Sequence, residues 1–136
     1  MSRHTYECHV RFSDVDVYGH VNNVKYFEYF QEARIAFILS LAGGLFDSSS
    51  SHRQVVARID VDYKRPILFR AEPYLVETWV TRIGTSSYSL ACRIVDEGGT
   101  VYSTAEVALV TFDVTTQRSR PITDTERARL ESARED

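Results

Sequence analysis

The chain is poor in the residues that staple small proteins. Of its 136 residues only two are cysteine, Cys8 and Cys92, and they form no C-x-x-C pair. That excludes a disulfide framework and a zinc ribbon. Positive charge is also short: 16 Lys and Arg face 19 Asp and Glu, for a net charge of −3. A bare nucleic-acid binder needs the opposite balance to displace counterions from phosphates. The longest mostly apolar run, residues 36–46, falls well short of a bilayer span. The N-terminal MSRHTYECHV has no apolar core of a signal peptide, so a cytoplasmic protein is expected. No G-x-S-x-G elbow and no G-x-G-x-x-G or other phosphate loop occurs. The histidines at 4, 9, 20 and 52 lack a spacing that would hold a metal on one helical face, and no metal site is expected.

What is present is an ordinary globular composition, 43% hydrophobic and 26% charged. A chain of this length buries roughly two-thirds of its unfolded surface, enough for one core, and residues 1–136 read as one domain. Residues 6–13 alternate apolar and polar, as a half-buried strand does. Residues 14–22 carry two Asp, a Gly and an Asn, and break the strand into a loop. Across residues 23–42 the period becomes helical: Val24, Phe27, Phe30, Ala33, Phe37, Ile38 and Leu41 recur at three and four, with Lys25, Glu28 and Glu32 on a narrow polar side. Asn22 or Asn23 caps the start, and Gly43 and Gly44 end it. After a serine-rich loop at 47–53 come strands at 55–63, 74–83, 86–96 and 101–113, with turns at Gly84 and Thr85 and at Gly98 and Gly99. Thr123-x-x-Glu126 opens a short charged helix with a capping box. The sum is an α+β arrangement, one long helix against one antiparallel sheet. A single helix leaves much of such a sheet bare, so a second copy in a C2 dimer is expected.

Chemistry concentrates in the loop before the long helix. The first N–H groups of a helix lack internal partners and lie at the positive end of its dipole, so a carbonyl placed there is polarised. A bend at Gly19 swings the Asp16 carboxylate back toward that helix start. Donor and carboxylate facing across a gap suit attack on an acyl carbonyl, the carboxylate acting as nucleophile or as general base to water. Read alone, Asp16 is an Asx-turn residue, Asp14 a structural acceptor for loop amides and His20 a hydrogen-bonded loop residue. Glu32 and Arg34 read as a solvated or dimer-facing polar side. Arg58, Lys64, Arg65, Arg82 and Arg93 offer cations for phosphates, with Arg58 and Arg82 preferred.

Asp16-Val-Tyr-Gly19-His20-Val21-Asn22-Asn23-Val-Lys-Tyr26, followed by Glu32-Ala33-Arg34, resembles the D-x-x-G-H-V-N-N-x-x-Y…E-A-R segment of hotdog-fold acyl-CoA thioesterases of the 4-hydroxybenzoyl-CoA thioesterase-like family. Val61-Asp62-Tyr63 with Pro66, and Gly84-Thr85-Ser86, extend the resemblance, so that it covers residues 10–112. It implies a five-stranded antiparallel sheet wrapped around a long central helix, and homodimers or homotetramers with sites between subunits. It also implies hydrolysis of acyl-CoA to acid and coenzyme A, with Asp16 catalytic and the Asn23 N–H polarising the carbonyl. Gly19, His20 and Tyr26, with Arg58, Arg82, Gly84, Thr85 and Ser86, are the expected substrate contacts. No cofactor is expected beyond the coenzyme A of the substrate. The 4-hydroxybenzoyl type has an aromatic residue where this chain has Asn23, so its aromatic acyl preference does not carry over. Acyl-carrier-protein thioesterase, hotdog hydratase with His20 as acid–base, and non-catalytic acyl-CoA binding stand as alternatives.

Overall fold

The computed structural model describes residues 3–41 and 52–135. Strand β1 (His4–Cys8) leads through a loop to helix α1 (Lys25–Ser40). Then come β2 (His52–Tyr63), β3 (Tyr74–Ile83), β4 (Ser87–Val95), β5 (Val101–Asp113), the two-residue β6 (Arg118–Ser119) and helix α2 (Asp124–Ser132). The strands form one antiparallel sheet in the order β1-β3-β4-β5-β2, with β6 added on β5. It is the expected hotdog arrangement with one small extra strand. Register shifts at Val56/Arg58 in β2 and Val80/Arg82 in β3 mark irregularities of the kind that bend strands, here in a sheet curled around α1. Alternation sets the faces: Tyr74, Val76, Thr78 and Val80 of β3 are buried while the residues between them are half-buried.

One end of the core joins Tyr26, Phe30 and Ala33 of α1 to Ile67, Val76 and Ile94. The other joins Phe37 and Ile38 to Val80, Leu90, Val107 and Leu130. Leu130 is the buried residue of α2, whose capping box forms as expected: Glu126 N–H donates to Thr123 Oγ1 (3.1 Å) and Thr123 N–H to Glu126 Oε1 (3.0 Å). Both cysteines are buried in the sheet, and burial pushes the Cys8 thiol up to about 12 and the Cys92 thiol to about 11, so neither supplies a thiolate. No helix among the described residues is long and apolar enough to cross a membrane.

Three local expectations are corrected. The first strand ends at Cys8, and Phe12–Asp14 forms a 3₁₀ turn that leaves Phe12 81% exposed against Phe69. The cause is Asp14, which is fully buried and draws the chain out of the sheet. It accepts hydrogen bonds from the Arg11 N–H (3.0 Å) and the Tyr29 hydroxyl (2.7 Å). The apolar face of α1 is as read at Phe30, Ala33, Phe37, Ile38 and Leu41 but shifted at its start, where Tyr26 and Tyr29 are buried while Val24 is 62% and Phe27 40% exposed. The two tyrosines turn inward because each hydroxyl finds a partner there, Tyr29 on Asp14 and Tyr26 on the backbone at 65–67. Finally, α1 starts at Lys25 and β2 takes in His52 and Arg53; Gly43, Gly44 and most of the serine-rich segment lie outside the described residues.

Burial alone would raise the Asp14 carboxyl, but the Tyr29 hydroxyl and the Arg11 N–H and guanidinium hold it below the usual carboxylate range. A depressed folded value means stability that is present above about pH 4 and lost as pH falls through the folded value. Asp14→Ala is expected to lower unfolding free energy by about 2–4 kcal/mol at neutral pH, since it strands two buried donors. Urea unfolding at pH 7 and between about pH 2 and 5 checks both the size and the flattened acid slope.

Candidate active site

The loop from Val15 to Val21 closes on itself. Val15 and Val21 form an antiparallel bridge, Asp16 N–H donates to the His20 carbonyl (2.8 Å), and Gly19 N–H to the Asp16 carbonyl (3.1 Å). Gly19 turns the chain at φ +80°, a conformation in which a side chain is strained. Asp16 Oδ1 accepts from the N–H groups of Tyr18 (2.9 Å) and His20 (3.3 Å). This Asx-type turn fixes the half-buried carboxylate and leaves Oδ2 without a donor among the described residues.

The loop is sewn to the segment after β2. Val21 N–H donates to the Ile67 carbonyl (2.8 Å), and His20 bridges to Leu68. Tyr26, the second residue of α1, accepts from the Ile67 N–H (3.0 Å) and packs its ring edge-on to Tyr63 at 4.8 Å. Lys64 and Arg65 N–H groups both reach the Tyr102 carbonyl of β5 (2.9 and 3.0 Å). The result is an open cavity of about 380 Å³ lined by Asp16, His20, Val21, Asn23, Tyr26 and residues 63–66.

Counting bonds narrows the helix-start donors beside this cavity. Asn22 N–H donates to the Asp14 carbonyl (2.8 Å), Val24 N–H to Asn22 Oδ1 (3.0 Å) and Lys25 N–H to the Asn22 carbonyl (2.9 Å). The cap of α1 is therefore Val24 without a side-chain bond, and Asn22 acts two residues ahead of it. Between these bonded amides, the Asn23 N–H has no acceptor among the described residues, and neither has the Tyr26 N–H in the first turn of α1. A carboxylate and an unpaired amide at the positive end of a 16-residue helix thus border one cavity, with Lys64 and Arg65 supplying positive charge at its rim.

Asp16, His20, Asn23 and Tyr26 come together as expected, and Gly19 forms the turn behind them. The other expected contacts lie elsewhere in this chain. Arg58 is on β2, paired with Asp60 at 3.0 Å. Arg82 donates to Ser87 Oγ (3.1 Å) beside the β3–β4 turn. In that turn the Gly84 carbonyl accepts from Arg127, Thr85 from the Ile122 N–H, and Ser86 from Thr111. These bonds tie it to the C-terminal segment, and none of Arg58, Arg82, Gly84, Thr85 and Ser86 lines the cavity. Sequence reasoning leaves Tyr63 and Pro66 out of the site and offers Lys64 and Arg65 only as cations ranked behind Arg58 and Arg82; the signal for all four is the Val61-Asp62-Tyr63…Pro66 strand end. Among the described residues no group of three or more His, Cys, Asp or Glu could hold a metal ion.

On comparison with known proteins, residues 10–130 match the model of the thioesterase-like superfamily. The chain is 27% identical over 123 residues to the long-chain acyl-CoA thioesterase FadM of Escherichia coli strain K12, covering 90% of this chain and 92% of that one. It is 35% identical over 81 residues to the uncharacterized YsmA of Bacillus subtilis strain 168; that match covers 60% of this chain and 53% of YsmA, about half its length. Among solved structures, a Thermus thermophilus thioesterase complexed with coenzyme A and zinc superposes with TM-score 0.79 at 28% identity, covering 95% of this chain and 92% of that one.

Proposed function

This chain belongs to the thioesterase-like superfamily, and on that premise we propose that it hydrolyses acyl-CoA thioesters to the free acid and coenzyme A. The observation that carries the reading is that Asp16 and the unpaired Asn23 N–H line one cavity. The thioester carbonyl oxygen sits on the Asn23 N–H, where the helix start stabilises the charge that develops in the tetrahedral intermediate. Asp16, through its free Oδ2, either takes a proton from an attacking water or attacks the carbonyl carbon itself. The C–S bond then breaks, the carbonyl re-forms, and the departing thiolate takes up a proton, the one Asp16 took from water in the general-base route. In the direct route water then hydrolyses the Asp16–acyl anhydride, freeing the acid and restoring the carboxylate. Lys64 and Arg65 at the rim suit the phosphates of coenzyme A.

A second copy completes the surface. Phe27, Ile35 and Leu39 of α1 and Val55 and Val56 of β2 are each at least 40% exposed. Arg34 beside them is 8% exposed with no hydrogen-bond or ion-pair partner among the described residues, although burial lowers its basicity. An apolar cover from a homodimer partner, with an acceptor for Arg34 at its edge, fits this face.

The test is a panel of acyl-CoA and acyl-carrier-protein thioesters assayed by free-thiol release. Coenzyme A release dependent on the protein is expected. Hydration of enoyl-CoA, or tight acyl-CoA binding with no thiol released from any thioester, would overturn the reading.

A further inference from the structure

Tyr63 ends β2, forty residues beyond the helix start, yet its hydroxyl donates to the Asn23 carbonyl at 2.9 Å. The same peptide, Asn23 C=O with Val24 N–H, is held on its other edge by Asn22 Oδ1 at 3.0 Å. One bond from the sheet and one from the preceding side chain therefore clamp the peptide that follows the Asn23 N–H. The carbonyl partner of that N–H within its own peptide, Asn22 C=O, is held by Lys25 N–H at 2.9 Å. Both flanks of the free donor are thus fixed while the donor itself has no acceptor among the described residues. Tyr63 is in turn steadied by the Tyr26 ring, 4.8 Å away between centroids, and Tyr26 is buried and bonded to Ile67 N–H. The ring of Tyr63 is 47% exposed, so the core does not depend on its hydroxyl.

We propose that Tyr63 is a positioning residue for thioester hydrolysis: its hydroxyl holds the Asn23–Val24 peptide so that the Asn23 N–H is presented to the substrate carbonyl. This rests on the reading of Asn23 as the polarising donor. A donor displaced by a fraction of an ångström still lets substrate bind but stabilises the transition state less, so the loss belongs in kcat rather than KM.

The experiment compares wild type, Tyr63→Phe, Asn22→Ala and the double variant on one acyl-CoA that wild type hydrolyses. Tyr63→Phe keeps the ring and removes one oxygen. It is expected to lower kcat by about tenfold with KM changed by less than about threefold and the melting midpoint nearly unmoved. Asn22→Ala loosens the same peptide from its other edge, so the two losses in kcat should combine to less than their product. Asn22→Ala also reads the clamp independently of how Tyr63→Phe folds. Unchanged kcat in Tyr63→Phe would overturn the proposal. So would a rise in KM alone, which would make the hydroxyl a substrate contact, or strictly multiplicative losses. An inactive wild type would instead remove the hydrolytic reading itself, a result distinct from any of these.

Discussion

Asp16→Asn is expected to lower kcat/KM for acyl-CoA by about 10²–10⁴-fold while the protein keeps its fold and oligomeric state. The size follows from the role, since asparagine neither takes a proton from water nor attacks an acyl carbon at a useful rate. The retention of fold follows from the loop. Oδ1 is the oxygen that accepts from Tyr18 and His20 N–H, and the asparagine amide oxygen can accept both bonds unchanged. The variant therefore separates chemistry from structure, which an alanine at this position would not. Circular dichroism and a thermal melt matching wild type, with thiol release near the buffer rate, is the expected pair of results. Hydrolysis within a few-fold of wild type would end the assignment of Asp16.

The second large effect concerns an atom that no side-chain substitution removes. Asn23→Pro deletes the backbone N–H and should cost about 10²–10³-fold in kcat, the range for loss of one oxyanion donor. Asn23→Ala, which keeps the N–H, should stay within a few-fold. Proline is tolerated here because the missing N–H has no acceptor among the described residues and the position precedes the Val24 cap, where the helix does not yet need the donor. Steady-state kinetics on the two variants, with melting curves to show that both fold, makes the comparison. Equal activity of the proline and alanine variants would move the carbonyl away from this amide.

Much of the candidate site is legible in the sequence because it is local. Residues 14–26 bring the carboxylate, the glycine turn and the helix start together through bonds that span few positions, such as Gly19 N–H to Asp16 C=O and Val24 N–H to Asn22 Oδ1. Asp14 was read as a structural acceptor and is one. The opposite wall is only partly legible. The strand end at Val61-Asp62-Tyr63…Pro66 can be read, but Tyr63, Lys64, Arg65 and Pro66 come beside the helix start through the pairing of β2 with residues 103–113 of β5, a contact across forty or more residues that no periodicity encodes. The hairpin at Gly84 reads two ways in sequence, because glycine and hydroxyl residues serve a phosphate contact and a tight turn alike; in this chain the turn is bonded to the C-terminal segment. Only the first turns of the α1 face depart from the apolar spacing, which does not register tyrosines whose hydroxyls are satisfied inside by Asp14 and the Ile67 amide. The sheet itself followed from clean alternation in β3 and β5.

The most direct measurement is a crystal structure with an acyl-CoA analogue in which a methylene replaces the thioester sulfur, so that the ketone cannot be hydrolysed. The ketone oxygen is expected about 2.7–3.1 Å from the Asn23 nitrogen, with Asp16 Oδ2 on the opposite side of the carbonyl carbon and in reach of it directly or through one water. An analogue bound with its carbonyl outside the cavity between Asp16 and Asn23 would contradict the account.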